Sequence, residues 1–349
     1  MRHVAPRLAL TPPLILIALV VSAAHAAENR TAEPAEAEAI TLALQPAVGS
    51  RFVTETITDQ TITQTVQGVE QVVKQKTTLG NSMKVIASEN GNTTIAVTIT
   101  RVAVEQSAPG LSANSYDSQT DQQAPSTALK PLATLPDTRY TVTCNPRGEV
   151  IASEGLDGLV DKMVESMGDT LEPQQLQMVK EQTRKQFGKR AMEHSVEAQL
   201  AHHPEQAVKP EDSWKRTITV EMGFPIQVSS EYVLQEYDTD LAQATLSSGM
   251  TAAEGEMQMG PMTVTPDLTG TQTGTVTIDR MTGWPVKLEL VQNVEGSLHM
   301  QAQGQRMEIP MKVHMTMSHH ATLQTDTSEA DGEAPAVTEE TEETETDAD

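Results

Sequence analysis

Between Gly270 and Leu323, apolar and polar residues alternate so regularly that the chain is restricted to antiparallel sheet there. Val276 and Ile278 point to one side, Thr275 and Thr277 to the other. After the turn Asp279-Arg280-Met281-Thr282-Gly283, Val286, Leu288 and Leu290 share a face, opposite Lys287 and Glu289. Met311, Val313, Met315 and Met317 then alternate with Lys312, His314, Thr316 and Ser318. A period of two held this long describes strands with one solvated and one apolar face.

The same signature appears earlier. Phe52–Val73 is rich in Thr and Val and reads as one strand or two. Ser82–Ala87 and Thr93–Val104 flank Glu89-Asn90-Gly91-Asn92, whose Asn-Gly marks a hairpin. Ile95, Val97 and Ile99 share a face, but Val102 and Val104 are out of phase, which predicts a bulge near Thr100-Arg101. Ala108–Pro136 is polar and contains proline, and reads as an excursion over the surface. Arg139–Cys144 and Glu149–Ala152 form a hairpin across Asn145-Pro146-Arg147-Gly148.

The period then changes. Leu156, Leu159, Val160, Met163 and Met167 have helical spacing. Pro173 opens a second helix presenting Leu176, Val179, Thr183 and Phe187. Met192, Val196 and Leu200 form a third stripe, and Pro204 and Pro210 close the block. Strands resume at Arg216–Met222, Ile226–Leu234 and Leu241–Leu246. The predicted class is α+β: a large, curved, half-barrel-like antiparallel sheet with a central block of two to three helices packed on it.

The ends read differently. Arg2 and Arg7, the apolar run Leu14–Val21 and Ala24-His25-Ala26 have the form of a signal peptide cleaved after Ala26. The apolar run is shorter than the roughly 20 residues that span a bilayer, and no integral span is expected after processing. The expected organisation is a signal peptide at 1–26, a linker at 27–46 and one β-rich domain at 47–325 with a helical insert at 154–203. An acidic disordered tail follows at 326–349, holding eleven Asp and Glu residues and no Lys or Arg. The expected location is periplasmic or secreted. The net charge of -24 argues against nucleic acid and anionic membrane surfaces as partners. Cys144 is the single cysteine, so the chain holds itself together without an internal disulfide.

Several stretches, in order, resemble an exported bacterial family known as domain of unknown function 6263. They are Tyr116-Asp117-Ser118, Asn145-Pro146-Arg147-Gly148-Glu149-Val150, Pro210-Glu211-Asp212-Ser213-Trp214, Gly274-Thr275-Val276-Thr277-Ile278-Asp279 and Thr282-Gly283-Trp284-Pro285. The resemblance implies no activity. The strand–helix–strand plan is also similar to periplasmic lipoprotein carriers, at the level of fold alone.

No His-Glu-x-x-His, Gly-x-Ser-x-Gly or phosphate-binding glycine loop is present, and no enzyme or cofactor is predicted. Ten methionines fall in the last third of the chain, and three readings fit them. They fill an irregular core, they line a pocket for flexible apolar ligands, or they bind Cu(I). The expected ligand-facing set is Met311, Val313, Met315, Met317, Leu288, Leu290, Met163 and Phe187; the alternative copper set is Met257, Met259 and Met262. A lipid or other apolar ligand is the partner class implied, with a structural or interaction module as the third alternative. His202-His203 and His319-His320 are expected to be solvated.

Overall fold

The computed structural model describes residues 38–324 except 67, 110–112, 122–125, 127–128, 168–172, 222–224, 253–254, 260–261 and 303–304. The expected signal peptide, most of the linker and the acidic tail lie outside the described residues.

Thirteen strands form among the described residues. The first half contributes β1 (Arg51–Val66), β2 (Val69–Glu89), β3 (Asn92–Ser107), β4 (Asn114–Asp117), β5 (Arg139–Cys144) and β6 (Val150–Glu154). Three helices follow: α1 (Leu159–Glu165), α2 (Pro173–Phe187) and α3 (Lys189–Leu200). The second half adds β7 (Ser213–Glu221), β8 (Pro225–Tyr237), β9 (Leu241–Ala252), β10 (Met257–Met259), β11 (Met262–Asp279), β12 (Pro285–Ala302) and β13 (Gln305–Gln324). All pair antiparallel in one open sheet, ordered β6-β5-β3-β2-β1-β13-β12-β11-β9-β8-β7, with β4 on β3 and β10 on β11. The α+β description therefore holds only roughly: the chain is mostly sheet, with a small helical block.

The two halves join where β1 meets β13, so Arg51 lies opposite Gln324. The predicted bulge is present. Arg101 faces Gly80 and Ile99 faces Asn81, leaving Thr100 as the extra residue. Arg101 is held there by Asp117 of β4, with Nη2 2.7 Å from Oδ2, and that bond keeps the Asp117 carboxyl below the usual carboxylate range.

An open sheet exposes two edges of unpaired backbone groups, and proteins cover such edges. Here α3 does so. Lys189, Glu193 and Glu197 recur every fourth residue along one side of the helix. Glu197 accepts from the Val150 N–H at 3.0 Å, Ser153 Oγ donates to Glu193 at 2.6 Å, and Lys189 Nζ donates to the Ser153 carbonyl at 3.1 Å. All three meet β6. Just past the same helix, Trp214 Nε1 of β7 donates to the His202 carbonyl at 3.1 Å, and Arg216 donates to the Ala201 carbonyl. One helix thus contacts both edge strands, and it also meets β12. Ten strand spacings of about 4.8 Å would separate those edges by roughly 48 Å in a flat sheet, so the sheet is rolled.

A strap closes one end of the roll. Ile40 pairs with Val208, Leu44 N–H donates to the Pro146 carbonyl at 2.7 Å, and Gln45 N–H donates to the Thr282 carbonyl at 2.8 Å. Ile40, Leu42 and Leu44 are buried, so this part of the expected linker belongs to the fold. Under it, Phe52 and Trp284 stack with centroids 3.8 Å apart. The expected surface excursion is also partly core: Leu129, Leu132 and Leu135 are buried in it. Their burial outweighs the polar residues around them.

Gly283 shows how tight the closure is. Its φ is +67°, and a Cβ there would run into the Ala43 carbonyl oxygen of the strap. Gly283→Ala should destabilise the protein by about 2–4 kcal/mol, from left-handed backbone strain plus displacement of the strap. Gly249→Ala, where a Cβ meets nothing, should stay within about 1 kcal/mol of the parent. Chemical denaturation compares the two; equal effects would show that the strap is not held at Gly283.

Candidate functional site

Strand alternation decides what lines the inside of the roll. On β13, Val313, Met315, Met317 and His319 are buried while Lys312, His314, Thr316 and His320 are exposed. On β12, Leu288, Leu290, Gln292 and Val294 are buried. His314 faces outward, as predicted, and its ring lies 2.9 Å from Asn293 Oδ1.

Six of the eight expected ligand-facing residues share one cluster. Val313, Met315, Met317, Leu288 and Leu290 are buried there with residues of β8, β9 and β11, and half-buried Met311 packs against them. Met163 of α1 and Phe187 of α2 belong to a second cluster, with β2, β3 and β5. A stripe of either period marks a residue as inside without saying which cluster it joins. For the copper set, backbone register puts Met259 opposite Met262 and Met257 opposite Val264; their side chains lie outside the described residues. Among the described residues, no group of three His, Cys, Asp or Glu residues could hold a metal.

The interior is not uniformly buried along its length. At the strapped end, Leu288, Leu290 and Trp284 are at most 2% exposed. Toward the opposite end, Ile62, Leu298, Met300 and Met311 are half-buried, while Val264, Leu268 and Ile309 at the same level stay buried. Between these levels lie side chains that sequence periodicity did not single out. Gln60, Gln272 and Gln292 are buried on the same apolar face. Their period-two positions, in phase with the apolar residues around them, are the signal in the sequence.

The histidines correct another expectation. His202 and His203 are buried, because the chain leaving α3 is pinned between the sheet edge and the strap. His202 Nδ1 lies 3.1 Å from the Tyr232 hydroxyl and its Nε2 lies 3.0 Å from the Ala198 carbonyl. His203 Nε2 lies 2.6 Å from the Gly283 carbonyl. His319 is inside the roll, with Nδ1 2.9 Å from Thr56 Oγ1 and Nε2 unpaired. Burial, reinforced by the charge of Arg216, pushes His202 down to about 3; burial pushes His319 down to about 4. Cys144 is buried and its thiol is pushed up to about 12 by desolvation, which fits packing rather than nucleophilic use.

Outside the strap lies a polar cleft of about 400 Å³, lined in part by Arg147, Glu149, His203, Glu205, Asp212 and Arg216. Arg147 pairs with both Glu149 and Glu205, so its charge is spent on closing the seam. The apolar interior and this cleft are separate places, and the interior is the one built by the long strands.

The model of DUF6263, a family of unknown function, matches residues 90–285, and the chain belongs to that family. The motifs that resemble it have structural work in this chain. Asn145-Pro146-Arg147-Gly148, Asp212-Ser213-Trp214 and Thr282-Gly283-Trp284 converge at the seam, while Asp117 pins the bulge. No curated protein matches the chain. Among solved structures, a lipovitellin structure concerned with lipid–protein interactions is similar at 10% identity and a TM-score of 0.40; the match covers 85% of this chain and 26% of that one. This chain thus spans about a quarter of the lipovitellin chain. A COG4313 outer membrane channel from Pseudomonas putida F1 is similar at 7% identity and a TM-score of 0.23, covering 84% of this chain and 100% of that one. No described helix is long and apolar enough to cross a membrane.

The buried histidines set a pH dependence. Their folded pKa values lie below the unfolded value of 6.5, so below that pH the unfolded chain binds protons that the fold refuses. Stability should be flat above about pH 7 and fall from pH 6.5 toward 4, at up to about 1.4 kcal/mol per pH unit for each histidine. His319→Gln should reduce that slope. Thermal melts from pH 8 to 5 measure it; a parent curve flat to pH 5 would mean that these rings are solvated.

Proposed function

We propose that the protein is a non-enzymatic binder of apolar or amphipathic molecules, acting in the cell envelope after export by the segment 1–26. The curved, half-barrel-like sheet is the container, and the domain at 47–325, extended by the strap, is the binding unit. The observation that carries this reading is the half-buried apolar patch at the unstrapped end of the roll. Apolar side chains are sealed at the strapped end, whereas at the other Met311, Leu298 and Ile62 form a half-buried patch beside the buried Ile309, Leu268 and Val73. A roll that existed only to be packed would gain by covering both ends, since exposed apolar area forgoes about 25 cal/mol per Å². Methionine suits such a lining, because its flexible thioether side chain re-packs around different shapes. The acidic net charge keeps the ligand class away from polyanions.

Met311 is the position to test, being half-buried at the less covered end. The parent should take up a fluorescent apolar probe such as an arylnaphthylamine. Met311→Lys should weaken that uptake about tenfold, the effect of roughly 1.4 kcal/mol, with little change in melting temperature. Thr316→Lys makes the same charge change on the outer face and should alter neither. No uptake by the parent, or uptake indifferent to Met311→Lys, would overturn the proposal.

A further inference from the structure

At one level of the roll, successive strands present residues that face each other directly. Gln75 of β2 is opposite Gln60 of β1, Gln60 is opposite Met315 of β13, and Met315 is opposite Gln292 of β12. Gln292 is in turn opposite Gln272 of β11, and Gln272 is opposite Ser248 of β9. Directly opposed residues of an antiparallel pair project from the same face, with Cβ atoms about 4.5–5.5 Å apart. The six residues therefore form a stripe running across the strands. The stripe cuts through apolar wall: Leu290 and Val294 flank Gln292 on β12, and Val313 and Met317 flank Met315 on β13.

Outward from the centre, Gln75 and Ser248 are satisfied within the wall. Gln75 Nε2 donates to Thr77 Oγ1 at 3.2 Å, and Ser248 Oγ donates to Ser230 Oγ at 2.7 Å. The central glutamines are not. Gln292 is 0% exposed, Gln60 1% and Gln272 3%. Both amide atoms of Gln60, both of Gln292 and Oε1 of Gln272 have no hydrogen-bond partner. Burying an amide unpaired costs stability, whereas Leu or Met at the same position would add it. Three such residues, on β1, β12 and β11 at one level and aimed into one interior, form a donor–acceptor array without an internal counterpart.

We infer that Gln60, Gln272 and Gln292 bind the neutral polar group of an amphipathic ligand, an ester, amide or hydroxyl carried on an acyl chain, with Met315 against the chain between them. The inference rests on the reading of the interior as a ligand site. Primary amides offer both N–H donors and carbonyl acceptors, which matches groups that are polar without charge. A carboxylate or phosphate would need a cation, and the stripe has none between Gln75 and Ser248. The nearest lysines on β2, Lys74 and Lys76, are exposed on the opposite face.

The test is displacement of the apolar probe from the full chain by three competitors of matched length: a C12 methyl ester, the C12 carboxylate and an alkane. The ester should compete roughly tenfold better than the other two, the worth of one or two amide hydrogen bonds. The triple variant Gln60→Met, Gln272→Met, Gln292→Met should still bind the probe, lose the ester preference and melt at a higher temperature. If the triple variant does not fold, Gln292→Met alone should reduce the preference. Probe binding with equal competition by ester and alkane, with strongest competition by the carboxylate, or with a preference that survives the substitutions would overturn the amide site and leave the apolar binder standing. If the parent binds neither probe nor competitor, the amides hold buried water only, and both readings fall together.

Discussion

The structure depends on one helix covering two edges. An antiparallel sheet of this width has unpaired backbone donors and acceptors on β6 and β7, and left flat it would expose them and a broad apolar face. α3 offers Lys189, Glu193 and Glu197 to β6, and the chain just beyond it offers carbonyls to Trp214 and Arg216 of β7. Bringing both edges to the same helix forces the roll, and the roll makes the inside. The strap and the Phe52–Trp284 stack then seal one end. The seam where these parts meet also gathers Asn145-Pro146-Arg147-Gly148, Asp212-Ser213-Trp214 and Thr282-Gly283-Trp284.

The interior combines features that a simple core would separate. Apolar residues on β12 and β13 are close-packed at the sealed end. A few residues further along, the same face carries unpaired amides, and beyond them half-buried methionine and leucine. Close packing supplies stability, unpaired amides subtract from it, and partial exposure forgoes more. Binding sites commonly show this pattern, because a site must keep hydrogen-bonding capacity that the fold does not use.

Much of the sheet was legible because period two is a local property. The faces of β12 and β13, the Asn90-Gly91 hairpin, the bulge at Thr100 and the helical stripes of α1, α2 and α3 could all be counted off the residues. What could not be counted was long-range. The pairing of β1 with β13 joins residues more than 200 positions apart, and nothing local announces it. Burial of His202 and His203 depends on where α3 ends relative to the strap, which is a tertiary outcome. Assigning Met163 and Phe187 to the same wall as Met315 failed for a related reason: an apolar stripe shows that a residue is inside, not which part of the inside. The glutamine stripe was hidden because each glutamine, taken singly, reads as a polar interruption. Only the register of six strands puts them side by side.

The rolled sheet is tested most directly by the distance between its edges. Spin labels at Ile151→Cys on β6 and Thr217→Cys on β7, both exposed, in a Cys144→Ala background, report it by pulsed electron paramagnetic resonance. With α3 bridging both edges, the labels should lie within about 30 Å, a helix diameter of about 10–12 Å plus the label arms. A distance near or above the roughly 48 Å of ten flat strand spacings would contradict the roll, and with it the enclosed interior.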